Sequence, residues 1–383
     1  MRAAMVVADR GGCLFAGRDV LFPRLRSPRA PATHSPLPPD GAACVNNATT
    51  SSAASSGGQS ADARPSGTKA SGARVFTLVR IGNRPEVTPW LFSEAFLARS
   101  DCAVSLYVDQ PPASCPQHVR QHHFIGGKWT GIFDFFRQNP DIVDAYDYFW
   151  FPDDDIESTP EDVCRFLDIA EREGFRLAQP ALTPDSDHAD RITLANPRFE
   201  WRRTNFVELM LPLMHREVLK KVLPLFEGRH FGLGLDWIWH LLTEDPAHQV
   251  AIVDAVPVGH RRPRRKHLKQ NMQQIDVDIA SERKETLGEL AIRRARPVVL
   301  SAKTREGGEL RRGTALWRRY FAGQWQTRRA VTGRPWTVLA AVLSTLDQLT
   351  GNPARASFDR ESYRRIVARG GDPAVRSDGH TPD

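Results

Sequence analysis

A chain of 383 residues that is 41% hydrophobic can bury one large core or two small ones. Its formal net charge of +7 favours anionic partners such as phosphates or acidic lipid. No run of 18 apolar residues occurs, so no transmembrane helix is expected. The five cysteines (13, 44, 102, 115 and 164) are odd in number and lack a CxxC pair, which argues against a disulfide framework or a zinc site and suits a reducing compartment.

Residues 1–73 are dense in Ala, Ser, Gly and Pro and poor in aromatics, so they are predicted to be a disordered tail. The opening residues, interrupted by Asp9 and Arg10, make a poor signal peptide. Order is expected from residue 74. Residues 74–81 read as a strand, 89–97 as a helix, 104–108 and 122–125 as strands, and 129–136 as a helix behind Gly126 and Gly127. The aromatic run 146–151 (YDYFWF) is a further strand, too short for a core helix, and Pro152 should end it. Residues 160–174 read as a helix, 177–182 as a strand, 183–196 as a polar stretch, and 206–211 as a strand or a buried loop. Then come a helix carrying Val218, Leu219 and Val222, a Gly232-Leu233-Gly234 turn, and a helix opened by Asp236 that buries Ile238, Leu241 and Leu242. The last strand, 250–258, delivers Gly259 and His260. This alternation predicts an α/β fold with a mostly parallel sheet flanked by helices. A basic run, residues 261–267, closes the core domain at 74–265. Residues 266–383 are expected to form a basic, mainly helical extension, with helices at 316–325 and 335–349.

Three consecutive carboxylates, Asp153, Asp154 and Asp155, follow the aromatic strand directly. On a strand's C-terminal end they lie where open α/β sheets bind ligands. A buried strand would hold them in a fixed place against their mutual repulsion, as a Mg²⁺ or Mn²⁺ site requires. The alternative is a solvated acidic loop or a cap for the next helix. Asp153 and Asp155 are the favoured direct ligands, and a diphosphate would be the ion's second partner. His260 is either a third ligand or a surface histidine. Asp236 is either a helix N-cap or a general base towards an acceptor hydroxyl. Glu208, in an apolar run, either binds that hydroxyl or pairs with Arg202 or Arg203, the pairing being favoured. Lys128 at a helix N-terminus, and Arg80 and Arg84 after the first strand, are candidate contacts to a nucleotide or its phosphates. The basic run and the helix carrying Leu316, Trp317, Tyr320, Phe321 and Trp325 suggest peripheral contact with an anionic membrane, the alternative, favoured for the helix, being docking by its aromatic face. No nucleic-acid recognition pattern accompanies them, so no nucleic-acid partner is expected.

The ordered set YDYFWFPDDDIE, LAQPALT, TNFVELM, GLGLDWIW and IVDAVPVGH resembles the DUF707 family, whose members look like glycosyltransferases of the GT-A fold. The resemblance spans residues 74–265. It implies that Asp153 to Asp155 form a DxD-type motif holding Mn²⁺ or Mg²⁺ against a nucleotide-sugar donor, that Asp236 is the acidic residue on the acceptor side, and that His260 is the late metal ligand. The implied activity is a metal-dependent glycosyltransferase; the acceptor we expect is a polysaccharide, lipopolysaccharide or glycolipid, and the expected location is cytoplasmic, with peripheral contact at the inner face of the plasma membrane. Alternatives are a non-catalytic nucleotide- or carbohydrate-binding protein on the same fold, or a metal-dependent nucleotidyltransferase.

Overall fold

The computed structural model describes residues 72–82, 88–107, 111, 113–260, 277–331 and 337–371. The chain divides into residues 1–65 and 66–383, and all described residues lie in the second part. Arg84, the basic run 261–267 and nearly all of the expected tail lie outside the described residues.

In chain order the first half runs β1 (Val75–Ile81), α1 (Glu94–Arg99), β2 (Ser100–Leu106), β3 (Arg120–His123), α2 (Lys128–Gln138), α3 (Asp141–Ala145), β4 (Tyr148–Trp150), α4 (Pro160–Arg172) and β5 (Leu177–Leu182). Next come β6 (Phe199–Thr204), β7 (Leu213–His215), α5 (Arg216–Val222) and β8 (Val250–Val258). After them come α6 (Ile279–Glu289), β9 (Val299–Thr304), β10 (Glu309–Arg311), α7 (Thr314–Thr327), α8 (Thr337–Thr350) and α9 (Arg360–Gly371). The strands form one sheet in the order β10-β9-β6-β8-β5-β7-β4-β1-β2-β3.

Every residue of β1 is buried, because both faces of the sheet are covered. On one face Val75, Val79 and Ile81 meet Phe96 of α1 and Val163, Phe166 and Leu167 of α4. On the other, Phe76 and Leu78 meet Ile132, Phe135 and Phe136 of α2 and Val218 and Leu219 of α5. Ser93 starts α1 by accepting the Phe96 N–H, and Thr159 starts α4 by accepting the Asp162 N–H ahead of Pro160. Residues 89–92, expected to be helical, are turns instead.

The sheet is mixed rather than mostly parallel. β1 pairs parallel with β2 and β4, β2 with β3, and β5 with β8, while β7, β6, β9 and β10 join antiparallel. A parallel neighbour needs a long crossover, usually helical. The segments before β6 and β7 hold no helix longer than a 3-10 turn, so both strands return antiparallel. The stretch read as a helical extension also supplies β9 and β10 to this sheet, beside the helices α6 to α9. No helix among the described residues is long and apolar enough to cross a membrane.

Candidate functional site

The aromatic strand delivers the carboxylates to a pinned loop. Tyr148, Phe149 and Trp150 are buried between β1 and β7, and regular pairing stops before Pro152, as its missing N–H requires. One isolated parallel bridge, Arg80 to Asp153, then carries the triplet alongside the end of β1. The Asp153 N–H donates to the Met210 carbonyl (2.9 Å), and the Trp150 indole donates to Leu211 (3.1 Å). The Trp90 indole holds the Ile156 carbonyl (2.7 Å). Glu157 and Gly259 exchange both backbone hydrogen bonds at 2.8 Å, which ties the far side of the triplet to the end of β8. That last tie brings His260 to the aspartates.

Asp153, Asp155 and His260 each offer a ligand atom, and these atoms lie within 4.8 Å of one another. His260 Nε2 is 3.3 Å from Asp155 Oδ2. Its Nδ1–H donates to the Asp187 carbonyl (3.1 Å), and its N–H donates to Ser186 Oγ (2.9 Å). A ring fixed through Nδ1 presents Nε2 to the carboxylates, the arrangement a metal-bound histidine requires. Burial pushes the His260 imidazole down, but its bonds to Asp155 and the Asp155 charge outweigh this and hold it up at about 9. The imidazolium is the counter-charge of Asp155, and once Nε2 gives up its proton, two carboxylates and an imidazole form a donor set that fits a divalent cation.

Asp154 is not one of this group, and its Oδ2 accepts the Gly82 N–H (3.2 Å). It fastens the loop after β1 and does not join the three ligands, contrary to its inclusion among them from sequence. Lys128 is also reassigned. Its ammonium donates to Asp153 Oδ1 (2.7 Å) and to the carbonyls of Leu209 (2.9 Å) and Met210 (2.8 Å), which uses all three donors. It is the internal partner of Asp153 rather than a free phosphate contact. Burial pushes the Asp153 carboxyl up against the pull of Lys128. With 36% of its side chain exposed, water moderates that push. Arg80 is turned inward. Its guanidinium donates to Ser105 Oγ (2.6 Å) and to the carbonyls of Phe124 (3.0 Å) and Gly126 (2.8 Å), and it stacks on Tyr107. It shapes the β3–α2 loop and does not reach outward as a nucleotide contact would.

The other half of the site is built on the loop between β6 and β7. Residues 206–211, open between strand and loop on sequence, are a buried loop. One side holds Asp153 and Lys128 through the carbonyls just described. On its other side the Trp239 indole donates to Val207 (2.9 Å), and the Glu208 N–H donates to Gln179 Oε1 (2.6 Å). Glu208 does not pair with Arg202 or Arg203. Arg202 forms a fully buried bidentate pair with Asp254 of β8, and Arg203 pairs with Glu309. The charge of Glu208 bears on Asp236 instead.

Asp236 does not open a helix. It sits inside a 3-10 turn, Leu235–Trp237, entered through Gly234 at φ 102°, and its side chain caps nothing. Its Oδ1 is buried without a hydrogen-bond partner. Burial, then the charges of Glu208 and Asp190, push its carboxyl up to about 8, against the pull of Arg294. Glu282 of α6 fixes this loop by accepting the N–H groups of His230 (2.8 Å), Phe231 (2.8 Å) and Gly232 (2.9 Å). No sequence signal pointed to Glu282, because its partners are backbone groups fifty residues away. On the opposite side the His230 carbonyl packs where a Cβ of Gly127 would lie, and His230 Nδ1 accepts the Gly127 N–H (3.0 Å). The Asp236 turn and the N-terminus of α2, with Lys128, are thereby locked together. A cavity of about 230 Å³ lined by Glu227, Arg229, Glu282 and Glu289 lies behind this loop and is separate from the triplet.

Residues 126–204 match the DUF707 family, described as a protein of unknown function. The matched DUF707 segment runs from the β3–α2 loop to the end of β6 and includes the triplet. Glu208, Asp236 and His260 lie beyond it. Among solved structures, Staphylococcus aureus TarS 1-349 is 10% identical, with a TM-score of 0.36, covering 78% of this chain and 91% of that one. The same fragment in complex with UDP-GlcNAc is 11% identical at the same score and coverage. A candidate nucleotide-diphospho-sugar transferase from Desulfovibrio desulfuricans G20 is 12% identical, with a TM-score of 0.26, covering 42% of this chain and 71% of that one. None of the curated proteins matches. Likeness at these scores leaves the chemistry to be read from the residues.

Proposed function

We propose that this protein is a glycosyltransferase that uses a divalent cation and a nucleotide-sugar donor. The observation that carries the reading is the convergence of Asp153, Asp155 and His260 at the C-terminal end of a buried strand, with their backbones tied on both sides. These three side chains would hold Mn²⁺ or Mg²⁺, which supplies Lewis-acid stabilisation to a departing diphosphate. Lys128 neutralises Asp153 and keeps the carboxylates from repelling one another apart. Asp154 and Arg80 act on the neighbouring loops.

Asp236 is the residue for the acceptor. Its carboxyl is neutral below about pH 8 and ionises above it. Ionised, it accepts the proton of an acceptor hydroxyl as a general base, which suits an inverting transfer. Glu208, whose charge bears on Asp236, helps to set that ionisation and would bind the same hydroxyl. The acceptor class we assign is a polysaccharide, lipopolysaccharide or glycolipid of the cell envelope, reached from the cytoplasmic side.

The test is thermal shift of the purified full chain with UDP-, GDP- and CMP-sugars, with and without Mn²⁺, followed by assay of released nucleotide. The expected result is Mn²⁺-dependent stabilisation by one donor class and slow donor hydrolysis, both lost in Asp155→Ala. Stabilisation that persists unchanged in Asp155→Ala would remove the metal site from the reading. Binding without turnover, with acceptors supplied, would make the chain a binding protein, and pyrophosphate release from a nucleoside triphosphate would make it a nucleotidyltransferase.

A further inference from the structure

α8 is amphipathic in the inverted sense. Its sequence, TVLAAVLSTLDQLT, puts Ala341, Ser344 and Gln348 against the protein and its large aliphatic residues outside. Ser344 Oγ and the buried Tyr320 hydroxyl of α7 lie 3.2 Å apart. Gln348 Oε1 accepts the Val299 N–H (2.7 Å), and its Nε2 donates to the Pro297 carbonyl (3.2 Å). The helix is thus held by its polar stripe. Val338, Leu339, Val342, Leu343, Leu346 and Leu349 face outward, each 38–50% exposed. Of the large hydrophobic side chains exposed among the described residues, all but Ile125 and Trp325 belong to this one helix face. Trp325, 40% exposed, ends α7, the helix on which α8 packs. An apolar face of this extent marks a contact surface.

The surrounding charge names the contact. Residues 311–355 contain eight arginines, no lysine and one acid, Asp347, which is paired with Arg296. Arg312 holds the Gln348 and Gly351 carbonyls at the C-terminal end of α8, and the Arg328 guanidinium lies 4.1 Å from the Trp325 ring centroid. Arg318, Arg329 and Arg355 are exposed. We infer that the α8 face rests on an anionic phospholipid surface, with the aliphatic side chains in the acyl boundary and Trp325 and the arginines at headgroup level. Interfacial helices have this composition: an apolar face, an aromatic residue and flanking cations. A second copy of the chain would set two arginine-rich rims against each other, whereas acidic headgroups neutralise them. At 14 residues α8 is about 21 Å long, short of the roughly 30 Å hydrocarbon core, so it lies on the bilayer and does not span it. The sequence left α7 open between lipid contact and docking by its aromatic face, with docking favoured, and Leu316 and Tyr320 are indeed buried against β9 and its neighbours, so the lipid face belongs to α8. None of this depends on the donor chemistry.

The experiment is flotation of the full chain with phosphatidylcholine vesicles and with phosphatidylcholine–phosphatidylglycerol vesicles. Binding to the anionic vesicles is expected to be at least tenfold tighter. Leu339→Asp with Leu343→Asp should weaken it at least tenfold, and Trp325→Ala should weaken it by a smaller factor, with the far-ultraviolet circular dichroism and Tm of each variant unchanged. Absence of vesicle binding overturns the inference. So does binding that the α8 variants leave intact, which would assign it to another basic segment. A dimer in sedimentation velocity that the double variant converts to monomer, without vesicle binding, would make the face a contact between copies.

Discussion

Asp236 shows how far a single residue's role depends on what surrounds it. Its place behind a Gly-x-Gly turn was readable, but whether it capped a helix was not. The cap reading fails because the chain after Gly234 makes two 3-10 turns, Leu235–Trp237 and Trp239–Leu242, with no regular helix to cap. Its folded pKa of about 8 lies above the unfolded value of about 3.9. Between those values the unfolded chain releases a proton that the folded chain keeps, so this group lowers stability as pH rises and ceases to do so above about 8. Asp236→Asn should therefore flatten the pH dependence of Tm between about pH 4 and 8 and be more stable than the wild type at pH 9. It should also lose roughly 10²- to 10⁴-fold in glycosyl transfer. Thermal melts from pH 4 to pH 9, with transfer assays on the same preparations, check both. A variant that keeps its turnover would leave Asp236 a buried acid with no part in catalysis. Lys128 and Arg80 carry a related lesson. Both stand where a phosphate contact belongs by sequence, yet the Lys128 ammonium and the terminal nitrogens of Arg80 are engaged by groups on segments distant in sequence, which composition does not reveal.

At the scale of elements, the segments that declared themselves are those with a continuous apolar period. β1, β5 and β8 lie where their sequence patterns predict them, and α2 and α4 are close to their predicted spans. β6 was missed because its sequence, FEWRRT, carries two arginines. Arg202 is wholly buried all the same, because Asp254 of the adjacent strand accepts two of its N–H groups and the Ile192 and Leu194 carbonyls accept two more. An aspartate within the otherwise apolar VAIVDAVPV was the one visible trace of that pair. Breaking a buried pair from one side leaves an uncompensated charge. Asp254→Ala should lower unfolding free energy by about 3–5 kcal/mol in urea titration, while Arg203→Ala, at a partly exposed pair, should cost under about 1 kcal/mol. Equal effects would contradict the burial assigned to Arg202. β7 was unreadable for a different reason: three residues are too few to show a period. The loop of residues 228–236 depends on Glu282 in the same way. Glu282→Ala should speed amide exchange at His230, Phe231 and Gly232 by at least tenfold, because their acceptor is gone.

For the whole molecule, one ten-stranded sheet brings three distant stretches together: the triplet, the loop between β6 and β7, and the segment after β8. The strand that leads into the triplet was legible because its aromatic run ends at a proline. The meeting of Asp155 with His260, more than a hundred residues on, depends on the Glu157–Gly259 bridge, which no local pattern encodes. The mixed strand order was likewise hidden, since antiparallel returns need no helix to announce them. The most direct test of the site is an anomalous difference map from a crystal soaked in Mn²⁺ with a nucleoside diphosphate. The predicted result is a manganese peak bonded to Asp153, Asp155 and His260, with phosphate oxygens completing its shell. A peak elsewhere, or none with the diphosphate bound, would contradict the metal site and the transferase reading built on it.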